Sequence, residues 1–151
     1  MRHPESPDRV EIVAARLWAA NAISEELGAT DATREQLLRV HTSAYLDLVD
    51  RETEGMTTAR YLSTGDAAVG PHTREVAYRA AGAALTAADW VAATGEAVFA
   101  LIRPRGHHAE PDAGMGFCIF NNAALAAREI IDRRGGRVLV VDFDYHHGNG
   151  T

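Results

Sequence analysis

Two short, continuous apolar runs with a helical stretch between them predict an α/β fold built on a parallel sheet. The runs are Ala97-Val98-Phe99-Ala100-Leu101-Ile102 and Arg137-Val138-Leu139-Val140-Val141. Unbroken runs of this length, bounded by turn residues, are the pattern of strands buried on both faces. Between them Asn122 caps an expected helix from Ala123 to Arg133, which Gly135-Gly136 ends, and strand, helix, strand in this order argues α/β layering with right-handed crossovers. Each run leads directly into a polar cluster, and open α/β sheets hold their ligands beyond the carboxyl ends of the strands.

The remaining elements follow in chain order. Ser6-Pro7-Asp8 reads as an N-cap with proline at the first helical position. Val10, Val13, Leu17 and Ala20 then recur at helical spacing up to Gly28, so a helix is expected over roughly Pro7 to Leu27. Thr33 with Gln36 three residues later matches a capping box and opens a short helix through Leu37, Leu38 and Val40. A second short helix is expected around Ala44 to Arg51, carrying Tyr45, Leu46, Leu48 and Val49. From Glu52 to His72 the chain holds Gly55, Gly65, Gly70 and Pro71 without a sustained period. It is expected to be a long loop, and loops of that length are often functional. Thr73 to Ala93 is alanine-rich, with Val76, Ala80, Ala83, Ala87 and Val91 on one face. That helix is expected to lie flat on the sheet.

The composition narrows the function classes. The chain has 151 residues, with 15 Lys plus Arg against 21 Asp plus Glu, a formal net charge of -6. One compact domain, or part of one, is the expectation. Its basic residues are dispersed, which disfavours nucleic acid as a partner and suits a cationic substrate better. Cys118 is the only cysteine, which excludes an intrachain disulfide and a cysteine-based structural zinc site. No apolar run approaches the ~20 residues that a membrane helix needs, so no membrane partner is expected and a reducing cytoplasm is the default location.

The chemistry concentrates in the two polar clusters. The first is Arg103-Pro104-Arg105-Gly106-His107-His108, and the second is Asp142-Phe143-Asp144-Tyr145-His146-His147-Gly148-Asn149-Gly150. A period of two puts Asp142, Asp144 and His146 on one face, with Phe143 and Tyr145 on the other. Carboxylate and imidazole together suit a borderline divalent metal such as zinc. In isolation, Asp-x-His is more often a polar loop with a solvated histidine, and His107-His108 more often a loop pair. Their placement at two strand ends favours chemistry. A histidine there could take a proton from a metal-bound water and return it to a leaving group. Gly114-Met115-Gly116-Phe117-Cys118 adds a turn with accessible backbone and an aromatic wall.

Taken together, these residues resemble the zinc-dependent histone deacetylase family, including bacterial deacetylase-like enzymes and acetylpolyamine amidohydrolases. The likeness runs through His3-Pro4-Glu5-Ser6-Pro7-Asp8-Arg9, His41 and Tyr45, Arg103 to His108, Gly116 to Asn122, and Arg137 to Thr151. It implies an arginase/deacetylase-like three-layer α/β fold with a parallel sheet, a Zn2+ cofactor, and hydrolysis of an acetylated amine, either acetyl-lysine or an acetylpolyamine. By the same resemblance Asp144 and His146 look like two of three zinc ligands. His108 looks like the general base that activates the zinc-bound water and then protonates the amine, and His107 like its electrostatic partner, oriented by Asp142. Gly116 and Phe117 would line the acyl channel, Asp66 would accept hydrogen bonds from substrate amides at the rim, and Arg9 would lie near the product acetate.

Asn149 stands where some family members have aspartate behind the second histidine. An amide can orient that ring but lends it no full charge, so His108 is expected to be less basic than in an aspartate-backed relative. Arg105 replaces the family's usual proline. Family members supply a third zinc carboxylate and a catalytic tyrosine from segments beyond the position of Thr151, and a first strand ahead of the His-Pro-Glu motif. Tyr45, Tyr61, Tyr78 and Tyr145 do not occupy the catalytic tyrosine's motif. Residues 1–151 are therefore expected to form the N-terminal part of a truncated deacetylase domain that is inactive alone, and the implied sheet order places two later strands between the two apolar runs. The alternative is a non-catalytic fragment that at most binds metal or a partner chain. A two-manganese ureohydrolase of the same fold is disfavoured, since it would need further Asp and His ligands.

Overall fold

The computed structural model describes residues 6–151, so the His3-Pro4-Glu5 part of the N-terminal motif lies outside the described residues. The elements in order are α1 (Asp8–Ala19), α2 (Arg34–Leu37), α3 (Ser43–Thr53), β1 (Arg60–Tyr61), β2 (Ala68–Val69), α4 (Thr73–Thr94) and α5 (Asn122–Arg134). The local signals account for most of them. Thr33 and Gln36 form the full capping box at α2, Thr42 caps α3 through the Tyr45 N–H, and left-handed Gly95 ends α4. The α5 cap is Asn121, whose side chain accepts from the Ala124 N–H, one residue earlier than the sequence suggested.

Helix α1 is shorter than expected. It stops at Ala19 because Asn21 turns the chain with φ +50, a left-handed conformation that asparagine tolerates. Pro7 is the N-cap, and the Ser6 hydroxyl accepts from the Asp8 N–H. None of its residues is buried, so the Val10–Leu17 stripe gains little from tertiary packing. The 52–72 segment is also more ordered than expected. It carries the antiparallel β1–β2 hairpin, with Arg60 opposite Val69 and Tyr61 opposite Ala68, and buries Leu62, Ala67 and Val69 in the core.

That core joins α3 (Tyr45, Leu46, Val49), α4 (Ala77, Ala81, Leu85) and Leu125 of α5 to Ile119 and Phe120. Tyr78 meets the Phe120 ring edge-on at 5.2 Å. The most extensive helix contact is α4 against α5. Arg133 ties the pair, reaching Asp89 on α4 at 3.0 Å and Glu129 at 2.9 Å. The buried side of α4 runs through Ala77, Ala81, Ala84 and Ala88 with Tyr78 and Leu85, whereas Val76, expected inside, is exposed. An alanine-rich helix has weak amphipathic contrast, so its few large side chains set its rotation.

The two apolar runs depart from expectation. Among the described residues the only sheet is the β1–β2 pair, and residues 97–102 and 137–141 carry no ladder. Nor are they buried on both faces: Phe99 is 67% exposed and Leu139 86%. Val98, Ala100, Ile102 and Val140 line one cleft of about 510 Å³ with Ala88 of α4 and Ile130 of α5. Their inner sides thus face the helical layer, while among the described residues their backbones pair with no neighbouring strand. Strand character depends on such a neighbour, so the apolar pattern was correct for one face only. No helix among the described residues is long and apolar enough to cross a membrane.

Candidate functional site

The histidine loop that follows residues 97–102 is held by the start of α5. Asn122 Nδ2 donates to the Pro104 carbonyl at 3.1 Å, and Asn121 Nδ2 donates to the Ala109 carbonyl at 3.2 Å. The Asn121 N–H donates to Nε2 of buried His41 at 3.0 Å. Nδ1 of His41 therefore carries the proton and donates to the Glu110 carbonyl, also at 3.0 Å. Burial pushes the His41 pKa down, consistent with this neutral form. One turn on, the Tyr45 hydroxyl donates to the Ile119 carbonyl at 2.8 Å, and its own pKa is driven up by burial.

The second cluster lies against this loop. The Gly150 N–H donates to the His107 carbonyl at 2.9 Å. His107 Nδ1 lies 2.9 Å from Asp142 Oδ2, and His108 Nδ1 lies 2.7 Å from Asn149 Oδ1. The two rings are 4.1 Å apart, and His108 is 6.0 Å from the His146 ring. Asp144 Oδ1 sits 3.1 Å from His146 Nδ1 and accepts from the His146 N–H at 2.9 Å. That N–H holds the Asp144 carboxyl at a pKa of about 2, helped by the His146 ring. Asp142 is held below the usual carboxylate range by the Asp144 N–H and by His107. Phe143 and Tyr145 are almost fully exposed, on the far side from the acids, as the period of two requires.

The pair Asp144–His146 suits a zinc ion in its donor chemistry, an oxygen and an imidazole nitrogen. The two stand 3.1 Å apart, at hydrogen-bond distance, and adjacent donors on a tetrahedral zinc, with bonds of ~2.0–2.2 Å, would stand ~3.3–3.6 Å apart. Arg105 Nη1 sits 3.1 Å from Asp144 Oδ2, a cation beside the same carboxylate. No group of three His, Cys, Asp or Glu suited to a metal occurs among the described residues.

Gly116 and Phe117 both have positive φ, +55 and +64. A Cβ at Gly116 would press into the His108 ring, so glycine is required there for the turn and the histidine to coexist. Phe117 lines a neighbouring cavity of about 470 Å³ with His72 and Arg103. Asp66 is exposed, and its Oδ1 accepts from the Gly116 N–H at 2.7 Å, so it fixes the turn beside His108. Arg9 lines the large cleft together with His107, Asp142 and Asp144. Sequence reasoning assigned no role to Glu110, Asn121 or Arg105. Glu110 stands two residues after His108, where only the fold shows what its side chain meets.

A family profile for the histone deacetylase domain matches residues 3–151. The chain belongs to the histone deacetylase family. It is 38% identical to Histone deacetylase 5 of Arabidopsis thaliana across 99% of the chain and 24% of that protein. It is 41% identical to the histone deacetylase-like amidohydrolase of Pseudomonas aeruginosa, across 99% of the chain and 40% of the relative. Acetylpolyamine amidohydrolase 1 of the same organism is 34% identical, across 97% of the chain and 51% of its own length. The chain thus spans about half or less of these relatives. The crystal structure of the HDA15 HD domain superposes with a TM-score of 0.89 at 36% identity, covering 99% of this chain and 43% of the other. The arginase/deacetylase class of fold expected from the sequence is thereby established, while the parallel sheet has no ladder among the described residues.

Proposed function

We propose that residues 1–151 form the N-terminal portion of a domain that hydrolyses acetylated amines, acetyl-lysine or acetylpolyamines, with a zinc ion held in part by Asp144 and His146. The observation that carries this reading is the convergence of two histidines, each with its own side-chain partner, on a carboxylate–imidazole pair whose donors suit zinc. Zinc, when bound, would lower the pKa of a coordinated water to ~7 and polarise the acetyl carbonyl.

The chain's own residues do the rest. His108 presents Nε2 while Asn149 holds Nδ1, so Nε2 takes the proton from the attacking water and returns it to the leaving amine. His107, paired with Asp142, supports charge beside it. Gly116 and Phe117 shape the approach, and Asp66, whose Oδ1 holds the Gly116 N–H, has its other carboxylate oxygen to accept from substrate amides at the rim. A third carboxylate and the oxyanion-stabilising tyrosine complete the site in this reading. Tyr45 and Tyr78 serve neither role, since their hydroxyls are bound to Ile119 and Asp50.

Isothermal titration with zinc tests the metal assignment. Asp144→Ala should weaken binding, and Arg105→Ala should strengthen it by removing the competing cation; indistinguishable isotherms for wild type and Asp144→Ala would remove Asp144 from the site. In a longer protein that includes these 151 residues and turns over an acetyl-lysine or acetylpolyamine probe, His108→Ala should reduce the rate ~10²- to 10⁴-fold.

A further inference from the structure

We infer that Glu110 is a positioning residue that sets the proton on His108 by orienting the Asn149 amide. The inference rests on the proposed role of His108 and deepens it. Asn149 has one accepting oxygen and one donating nitrogen, and which end faces His108 decides which ring nitrogen carries the proton. If the oxygen faces Nδ1, the ring must donate from Nδ1, and Nε2 is left with its lone pair. If the amide is turned round, its nitrogen donates to Nδ1, the proton moves to Nε2, and a general base at that atom is lost.

An isolated asparagine does not choose between these states. The choice comes from what lies behind it. Asn149 Nδ2 sits 2.8 Å from Glu110 Oε1, 3.2 Å from Met115 Sδ and 3.5 Å from the His108 carbonyl. All three are acceptors, and an ionised carboxylate has no proton with which to accommodate the reversed amide. Glu110 is therefore the strongest of the groups that keep the oxygen on His108, since a bond to a charged acceptor is roughly twice as strong as a neutral one.

Glu110 is itself anchored from two directions. Its carbonyl accepts from His41 Nδ1 at 3.0 Å, and its N–H donates to the Ala113 carbonyl at 2.9 Å. The next residue's carbonyl accepts from the Thr42 N–H at 2.8 Å. The carboxylate thus stands on a fixed backbone. A chain His108–Asn149–Glu110 replaces a direct carboxylate behind the histidine: it keeps the orienting function and moves the charge one residue further from the ring.

The test is the tautomer of His108, read from its side-chain nitrogen-15 shifts in the labelled 151-residue protein at pH 8. Wild type should show the Nδ1–H form. Glu110→Gln, which can pair with Asn149 in either orientation, should reduce the preference about tenfold, the equivalent of one charge-assisted hydrogen bond, and Glu110→Ala should do the same. Asn149→Asp, which accepts directly from Nδ1, should restore the Nδ1–H form in both backgrounds. Backbone amide spectra of the Gln variant guard against a general disturbance of the loop. An unchanged tautomer in both Glu110 variants would overturn the inference, as would failure of Asn149→Asp to restore it. Neither readout needs zinc or turnover, so it stands or falls separately from the hydrolase reading.

Discussion

Replacing Gly82 with alanine opposes two physical effects of known sign. Gly82 lies in the middle of α4, inside the run Ala80-Ala81-Gly82-Ala83-Ala84. Helix propensity alone makes the substitution favourable by about 1 kcal/mol. The tertiary structure reverses the sign. A Cβ at position 82 would fall well inside contact with the Thr30 carbonyl oxygen, 2.7 Å from the Ala32 nitrogen and 2.9 Å from the Asp31 carbonyl carbon. Comfortable carbon contacts lie near 3.5–4.0 Å, and all three neighbours are backbone. The 30–32 segment cannot yield freely, because the Ala32 N–H donates to the Tyr78 carbonyl at 3.0 Å, Arg79 pairs with Asp31, and Ala32 is buried. Overpacking costs about 1–3 kcal/mol, and losing the Ala32 hydrogen bond costs about 1 kcal/mol more. After the propensity gain, a net loss of about 1–3 kcal/mol remains. In a chain of this size each kcal/mol lowers Tm by about 2–4 °C. Thermal and urea melts followed by circular dichroism should show a lower Tm and a lower urea midpoint with unchanged slope. A Gly82→Ala protein as stable as wild type, or more so, would refute the packing of 30–32 on α4.

Gly116→Ala should combine a positive-φ penalty of about 1–2 kcal/mol with displacement of the His108 ring; a lower Tm and shifted His108 side-chain resonances would show both. Tyr45→Phe should cost about 1–3 kcal/mol by leaving the buried Ile119 carbonyl unsatisfied, measured by urea melts. Asp142 and Asp144 are held below their ordinary pKa, Asp144 to about 2. Their contribution to stability is complete above about pH 4 and is lost as pH falls toward 2, so urea midpoints should fall across that interval. His41 has a lowered folded pKa, so the unfolded chain takes up its proton first and stability declines once pH drops below about 6.5. Its ring resonances should still sit at the neutral position at pH 6.5, and a half-protonated His41 there would contradict the buried hydrogen-bond assignment.

The legible parts of this protein are those fixed by neighbours in sequence. Thr33 and Gln36 satisfy each other's backbone within one helical turn, Gly95 and Gly135 supply the backbone freedom that ends α4 and α5, and a period of two puts Asp142 and Asp144 on the cleft while Phe143 and Tyr145 stay exposed. The motif residues by themselves resemble the histone deacetylase family. What the tertiary structure decided concerns groups far apart in the chain. The expected strands at 97–102 and 137–141 have apolar inner faces as predicted, but pairing requires a partner backbone, and an apolar run does not encode whether one is there. The resemblance implies a substrate contact for Asp66, and the fold adds that its Oδ1 holds the Gly116 N–H fifty residues away. The bonds from His41 and Asn121 to the histidine loop span 69 and 12 residues, and the one from Asn149 to Glu110 spans 39. Residue type states what each of these groups can donate or accept; only the fold places them within 3.2 Å of the group that completes the bond.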